Sequence, residues 1–175
     1  TLVRIVEGFE ITSTKERKDG SIIFFGRLEQ IKNIRSIINI FLNAQDKLGL
    51  SKLYIVGEGS IELKESSRVR IIRKWLTKAE LKKIIEKCDF VVNATHEEGY
   101  SLQIFEGISS GLYPLVSSSG LLYNYNLKDC HTLTELNLVR AYKLSNEIWS
   151  NEIKEIQKNL IEYLEMTPSL TNYIK

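Results

Sequence analysis

The chain has 175 residues, of which 43% are apolar and 26% charged, with only 2 prolines and 10 glycines. This composition excludes a disordered, collagenous or low-complexity protein, and the length suits one domain with a sizeable core. The net charge of +2 does not fit a general nucleic-acid binder. No apolar run approaches the roughly 20 residues that a membrane-spanning helix needs.

The start of the chain indicates a segment of a longer protein. Its first residue is Thr1 rather than Met, and neither a signal peptide nor a transit sequence opens it. The two cysteines, Cys88 and Cys130, have no metal-ligand spacing with the two histidines. We therefore expect no metal site and a reducing, cytoplasmic compartment.

Short apolar runs alternate with amphipathic stretches along the chain, which predicts β–α–β units on a parallel sheet. The predicted strands are Leu2–Val6, Ser21–Gly26, Lys52–Gly57, Val69–Ile72, Asp89–Ala94 and Tyr113–Val116. The predicted helices are Lys32–Leu48, Lys78–Lys87, Leu102–Ser110, Leu133–Leu144 and Glu152–Leu164. This order predicts an α/β fold, a Rossmann-like doubly wound sheet of five or six parallel strands with helices on both faces.

Several residues predict how the helices begin and pack. Thr77 and Glu80 have the spacing of a capping box, and Ser101 is expected to cap the helix that follows it. The helix after Thr77 is expected to bury four apolar side chains, namely Leu81, Ile84, Ile85 and Cys88. Residues 1–20 are expected to hold an early strand and a linker, and residues 21–175 to form the domain.

Charge is distributed unevenly along the chain. Nine Lys and Arg residues face three Glu residues between Lys64 and Lys87, whereas the stretch after Thr132 is acidic. A basic segment of this kind suits phosphates, acidic lipid headgroups or an acidic partner, and it equally suits a plainly solvated surface.

Three loops at the carboxyl ends of predicted strands hold residues suited to an anionic ligand, because α/β sheets bind ligands at that edge. The first carries Arg27 and Lys32, and the second is the glycine turn Gly57–Gly59. The third runs from Glu98 to Glu106 and opens a helix, whose N-terminal N–H groups suit a diphosphate. A carboxylate at Glu106 lies among apolar neighbours, where burial is costly without a partner such as a ribose hydroxyl.

The segment EGYSLQIFEGISSGLYPLVSSSG resembles the E-x7-E region of retaining glycosyltransferases with two Rossmann-like domains, the GT-B fold, and especially their family 4. GRLEQIK resembles the donor-binding G-R-L-x-x-x-K of that family. LYIVGEGS and KWLTKAELKKIIEKCDFVVNAT resemble its next two motifs. The resemblance runs in order from about Ser21 to Gly120.

The resemblance implies the donor-binding, C-terminal half of a hexosyltransferase that uses a nucleoside-diphosphate sugar and no metal. The N-terminal acceptor domain would be absent, and the fragment alone inactive. Glu98 would be the catalytic residue at the donor sugar. The implied nucleotide-sugar-binding residues are Arg27, Lys32, Gly99, Tyr100, Ser101, Leu102, Glu106 and Trp75. The acceptor would be a glycan or a lipid-linked molecule. The expected location is the cytoplasm, and the basic stretch Lys64–Lys87 would suit a peripheral contact with the inner face of the membrane.

The sequence departs from the family pattern without losing a charged residue. Asn33 replaces the usual Gly after the lysine, Lys74 the Gly before the tryptophan, and Gly107 a common Ala. Two alternatives stay open at this stage. One is a non-catalytic glycosyltransferase-like partner domain, and the other is a GT-B nucleotide-sugar epimerase or phosphorylase.

Overall fold

The structure is a computed structural model that describes residues 16–49, 51–95, 101–117, 122–123 and 125–166, with side chains to residue 163. The strands are β1 Ile22–Phe25, β2 Leu53–Val56, β3 Val69–Ile72, β4 Phe90–Asn93 and β5 Tyr113–Val116. The helices are α1 Ile34–Leu48, α2 Lys78–Ile85, α3 Leu102–Ser109, α4 Glu135–Tyr142 and α5 Asn146–Met166. Short 3-10 helices cover Gln30–Lys32 and Asp129–His131. The predicted strand Leu2–Val6 lies outside the described residues.

The five strands form one parallel sheet in the order β3-β2-β1-β4-β5. The first described strand, β1, therefore lies in the middle of the sheet; the chain then runs outward to β3 and returns to build β4 and β5 on the other side of β1. This reversal is the doubly wound arrangement predicted from the sequence. It creates a switch point between β1 and β4, where ligands bind in such folds.

Both faces of the sheet are covered, which is why β1 is apolar throughout. Ile22 and Phe24 join a core with α1, whereas Ile23 and Phe25 join a core with α2 and α3 on the other face. Asn33 precedes α1 with φ +49, a left-handed conformation that Asn tolerates better than most residues. The replacement of the family's usual Gly at this position therefore leaves the turn intact.

Helix α5 starts six residues before the predicted Glu152, at Asn146. The Ser145 hydroxyl accepts a hydrogen bond from the Ile148 N–H at 3.3 Å. Trp149 is buried and stacks on Tyr113 of β5, with ring centroids 4.8 Å apart. The sequence pattern missed this start because a polar run surrounds the single tryptophan that docks on the sheet.

Helix α2 begins as predicted. The Thr77 hydroxyl accepts from the Glu80 N–H while the Glu80 carboxylate accepts from the Thr77 N–H, which completes the capping box. The prediction that α2 buries four side chains is wrong for Leu81 and Ile84, which remain half-buried. These two side chains stay half-buried because α2 packs at the β3 side of the sheet, where the layer of helices ends.

Glycine at position 107 follows from the distance between α3 and the sheet. A Cβ on Gly107 would lie 2.4–2.7 Å from three side-chain atoms of Val91 in β4. Helix α3 therefore lies closer to the sheet than the family's common alanine allows. None of the described helices combines the length and the apolar character needed to cross a bilayer.

Candidate functional site

The candidate site lies at the carboxyl ends of β1 and β4, at the switch point of the sheet. The loop after β1 carries Arg27 and Lys32, and the segment after β4 leads towards α3. A hydrogen bond of 3.2 Å from the Thr95 hydroxyl to the Ile31 carbonyl joins the two loops. The structure therefore brings together residues 64 positions apart in sequence.

The glycines after β2 allow close contact with the loop after β1. A Cβ on Gly57 would lie 1.8 Å from the Gly26 carbonyl oxygen, and one on Gly59 would lie 2.2 Å from the Leu28 carbonyl oxygen. Both glycines have φ above +140°, which side chains rarely permit. The backbone that approaches these two glycines in the structure is the β1 loop, which they hold in place.

Arg27 extends from this loop into solvent. Its guanidinium lies 3.4 Å from the Glu29 carboxylate, and its side chain is 66% exposed. An ion pair this exposed contributes little, so Arg27 can turn towards an anionic ligand at small cost. Lys32 ends the 3-10 helix and is half-buried. The first loop thus presents two cationic side chains at the mouth of the switch point.

Helix α3 begins at this edge, and its start is fixed from two sides. Ser101 occupies the N-cap position, but its hydroxyl makes no capping hydrogen bond, so the predicted side-chain cap is wrong. The hydroxyl accepts instead from the Asn93 side-chain amide at 3.1 Å. The buried Tyr125 hydroxyl accepts from the Ser101 N–H at 3.1 Å and donates to the Ser101 carbonyl at 2.5 Å. Leu102, the first residue of the helix, is 51% exposed.

Glu106 lies in α3 and is half-buried. Burial raises the pKa of its carboxyl to about 7, and the charge of Lys78 lowers it by a smaller amount. The carboxyl is therefore close to half-protonated at neutral pH. A hydroxyl that donated a hydrogen bond here would favour the charged form and compensate part of the cost of burial.

Trp75 lies after β3, with its indole exposed, and its backbone N–H donates to the Glu58 carboxylate at 3.3 Å. Glu58 belongs to the glycine turn after β2, so this contact joins a third loop to the site. The remaining predicted residues, Glu98, Gly99 and Tyr100, lie outside the described residues. Their roles at the donor sugar and its diphosphate therefore stay predictions.

Sequence reasoning missed a set of buried and half-buried polar residues that support the site. Asn93, at the end of β4, donates to Ser101 and accepts from the Thr95 N–H at 2.9 Å. Gln103 donates to the Val92 carbonyl at 2.6 Å. The signal in the sequence was the pair of polar residues, Asn93 and Thr95, at and just after the end of an otherwise apolar strand. Among the described residues, no three His, Cys, Asp or Glu side chains are grouped closely enough to hold a metal ion.

The sequence model of the family described as "Glycosyl transferases group 1" matches residues 19–131, which is more than half of the chain. The chain belongs to this family. The matched range includes the loops after β1, β2 and β3, and the start of α3. The family resemblance stated from the sequence is therefore confirmed.

Solved structures show the same fold at low sequence identity. A point mutant of Staphylococcus aureus TarM, solved with fondaparinux, alpha-GlcNAc-glycerol and UDP, is 16% identical with a TM-score of 0.72 over 93% of this chain. The trehalose-6-phosphate synthase OtsA is 12% identical with a TM-score of 0.69 over 89% of this chain. The catalytic domain of a Helicobacter pylori cholesterol-alpha-glucosyltransferase is 18% identical with a TM-score of 0.52 over 89% of this chain.

The glycosyltransferase domain described here spans 38% of TarM and 44% of OtsA, although it spans 99% of the H. pylori chain. A search of curated protein sequences finds no match. The Rossmann-like sheet predicted from the sequence and its assignment to the GT-B fold are both confirmed by these structures.

Proposed function

We propose that this domain binds the nucleoside-diphosphate sugar donor of a retaining glycosyltransferase, which transfers the sugar to a glycan or lipid-linked acceptor. The observation that carries the proposal is the convergence, at the switch point, of the cationic β1 loop with the start of α3. An anion placed there would meet Arg27, Lys32 and the free N–H groups of the helix together. The family membership supports the same reading.

The chemistry of the step fits these groups. When the glycosidic bond to the diphosphate breaks, negative charge develops on the departing phosphate oxygen. Fixed cations and N–H dipoles that already face this oxygen stabilise the charge without reorganisation. Arg27 offers a planar fork that binds two oxygens, and Lys32 adds a point charge. In the proposal these two cations neutralise the diphosphate, and no metal ion is required.

Glu106 would bind the ribose of the donor. Its half-buried carboxyl has a raised pKa, so a hydroxyl donor at this position would stabilise the ionised form. Glu98 would contact the donor sugar, as the family motif implies, and the backbone at Trp75 would lie near the base. The Trp75 N–H already donates to Glu58, so the base would meet a neighbouring backbone group or displace that carboxylate.

Ligands in similar structures support a nucleoside diphosphate as the donor's leaving group. The pneumococcal O-GlcNAc transferase GtfA was solved with UDP and GlcNAc, with a TM-score of 0.57 at 18% identity over 93% of this chain and 38% of its own. Arabidopsis thaliana starch synthase IV was solved with ADP and acarbose, with a TM-score of 0.61 at 15% identity over 98% and 42%. We propose a nucleoside diphosphate, with its base left open, as the leaving group for the present chain.

Isothermal titration calorimetry with UDP, GDP and ADP tests the donor site. At least one nucleotide is expected to bind at millimolar concentration or below. Arg27→Ala should weaken that binding about 10- to 100-fold, the range for a hydrogen bond to a charged group. Arg70→Ala removes the same charge from the exposed middle of β3 and should leave the affinity unchanged. Absence of binding by all three nucleotides would contradict the proposed donor site.

Catalysis needs a longer protein that includes an acceptor domain, and Glu98→Ala tests it there. The retaining-transferase proposal predicts loss of sugar transfer with nucleotide binding preserved. Unchanged transfer would refute the role of Glu98. A protein that binds nucleotide without transferring or isomerising any sugar would favour the non-catalytic partner instead.

A further inference from the structure

The structure gathers the basic residues between Arg68 and Lys87 on one edge of the domain. β3 is the outermost of the described strands on its side of the sheet, and α2 follows it on the adjoining face. This stretch holds eight Lys or Arg residues against two Glu, a net charge of +6. All eight basic residues are exposed. Since the whole chain has a net charge of +2, the rest of it carries −4.

Acidic side chains compensate only part of the charge of this basic edge, residues 68–87. Glu65 and Glu58, which lie outside the segment, also accept backbone hydrogen bonds from it. Glu80 is occupied by the capping box and by an ion pair with Lys74 at 3.2 Å. Glu86 is the other acid of the segment. Within the part of the chain that the structure describes, Lys82, Lys83 and Lys87 make no ion pair with an acid. Their ammonium groups are therefore available to an external anion.

Protection of an open strand edge explains only part of this charge. Cations on an outer strand oppose edge-to-edge pairing with another sheet, and Arg70 on β3 and Arg68 just before it suit that purpose. The lysines of α2 do not lie on a strand edge. Lys82 and Lys83 are exposed on the surface of α2, whereas Ile85 is buried. A second reason is needed for a helix surface with this charge.

The opposite edge of the domain does not share this excess of basic charge. Helix α5 packs beside β5 through Trp149 and carries five Glu against two Lys. Two of these carboxylates pair with cations from outside the helix, Glu152 with Arg140 at 3.7 Å and Glu155 with Lys128 at 3.2 Å. An extended anionic surface would therefore attract the β3 edge more strongly than the β5 edge and favour one orientation of the domain.

We propose that the basic edge is a docking surface for an anionic lipid bilayer. Lysine is a hydrated point charge without the planar fork that reads a single phosphate, so a lysine-rich surface responds to charge density. Clusters of four to eight basic residues on an amphipathic helix match anionic lipid headgroups in this way. Trp75, with its indole 57% exposed just before α2, adds an aromatic side chain of the type enriched at bilayer interfaces. Trp75 is also assigned to the proposed donor site, so the flotation test leaves it unchanged and varies only lysines outside that site.

Vesicle flotation of the 175-residue chain tests this docking. At 50 mM NaCl the chain is expected to float with vesicles of equal phosphatidylglycerol and phosphatidylcholine, and not with phosphatidylcholine alone. Flotation should be lost at 500 mM NaCl because the contact is electrostatic. The triple variant Lys82→Gln, Lys83→Gln, Lys87→Gln should lower the partition coefficient by roughly 100-fold, since each lysine near an anionic surface contributes about fivefold.

A matched triple variant separates position from net charge. Lys143→Gln, Lys154→Gln and Lys158→Gln lower the net charge by the same three units at exposed sites on the far edge. This variant should keep flotation within about threefold of the parent chain. The proposal would be overturned if both variants lost flotation equally, if flotation did not depend on salt, or if the chain failed to bind anionic vesicles. It would also be overturned if a duplex oligonucleotide or poly-glutamate competed successfully with the vesicles, since the partner would then not be lipid. Circular dichroism verifies that both variants are folded.

Discussion

Replacing Gly59 with alanine tests whether the two loops of the donor site are held by backbone contact. Gly59 has φ +153, and a Cβ there would lie 2.2 Å from the Leu28 carbonyl oxygen and 2.6 Å from its carbon. Neither atom belongs to a flexible side chain, so the clash can be relieved only by moving backbone. The Leu28 carbonyl also accepts the Ile61 N–H at 3.2 Å. The substitution therefore separates the β2 turn from the loop that carries Arg27.

The cost follows from two contributions. Holding alanine in this sparsely populated backbone region costs about 1–3 kcal/mol. Loss of the hydrogen bond from Ile61 to Leu28 adds about 1 kcal/mol. A total of about 2–4 kcal/mol lowers the melting temperature by roughly 5–15 °C for a domain of this size. Thermal unfolding measures this change, and calorimetry with the nucleotide that binds the parent chain should show at least a tenfold weaker affinity.

Gly49→Ala is the matched control. Gly49 ends α1 with φ +67, and a Cβ there would meet no atom within 4 Å. The substitution should cost only the left-handed backbone penalty, about 1 kcal/mol, and leave nucleotide affinity unchanged. If Gly59→Ala were as stable as Gly49→Ala and bound nucleotide like the parent chain, the loop contact would have no role in the site.

Three further predictions concern stability and the start of α3. Burial raises the folded-state pKa of Glu106 to about 7 from its usual 4.5. The stabilisation from its protonated form is therefore complete below pH 4.5 and is lost as the pH rises through 7. Glu106→Gln should remove this pH dependence from the melting temperatures measured between pH 5 and 8. Tyr125→Phe leaves the buried Ser101 N–H without its acceptor and should cost about 1–3 kcal/mol in urea unfolding, whereas retention of full stability would show that the hydroxyl is not needed. Thr77→Ala removes the cap of α2 and should lower the free energy of unfolding by about 1 kcal/mol in the same assay. Hydrogen bonds from Thr77 hold the pKa of Glu80 at about 2, so the substitution should also raise that pKa, which an NMR titration measures.

Local patterns in the sequence were sufficient for most elements. The run from Ser21 to Gly26 predicted β1, because a strand covered on both faces needs apolar residues at every position. The capping box at Thr77 and Glu80 fixed the start of α2, because its hydrogen bonds form within one turn. Spacing of this kind depends only on neighbours along the chain, so no tertiary information was required.

Elements stabilised by distant contacts were harder to place. Helix α5 begins before its apolar pattern because Trp149 docks on Tyr113, which lies 36 positions earlier. The partial exposure of Leu81 and Ile84 depends on where the helix layer ends, and periodicity does not report that. Ser101 was predicted to cap α3, yet Asn93 from β4 takes its hydroxyl.

The same distinction between local and distant contacts applies to the candidate site. Order and spacing along the chain were enough to assign the cations, the glycines and Glu106 to their loops, because they follow the family motif. Tertiary structure decided that the Gly57–Gly59 turn closes on the β1 loop, that Tyr125 anchors the start of α3, and that burial brings the pKa of Glu106 to about 7. These features depend on distances between atoms from separate strands and helices, which exist only once the sheet has formed.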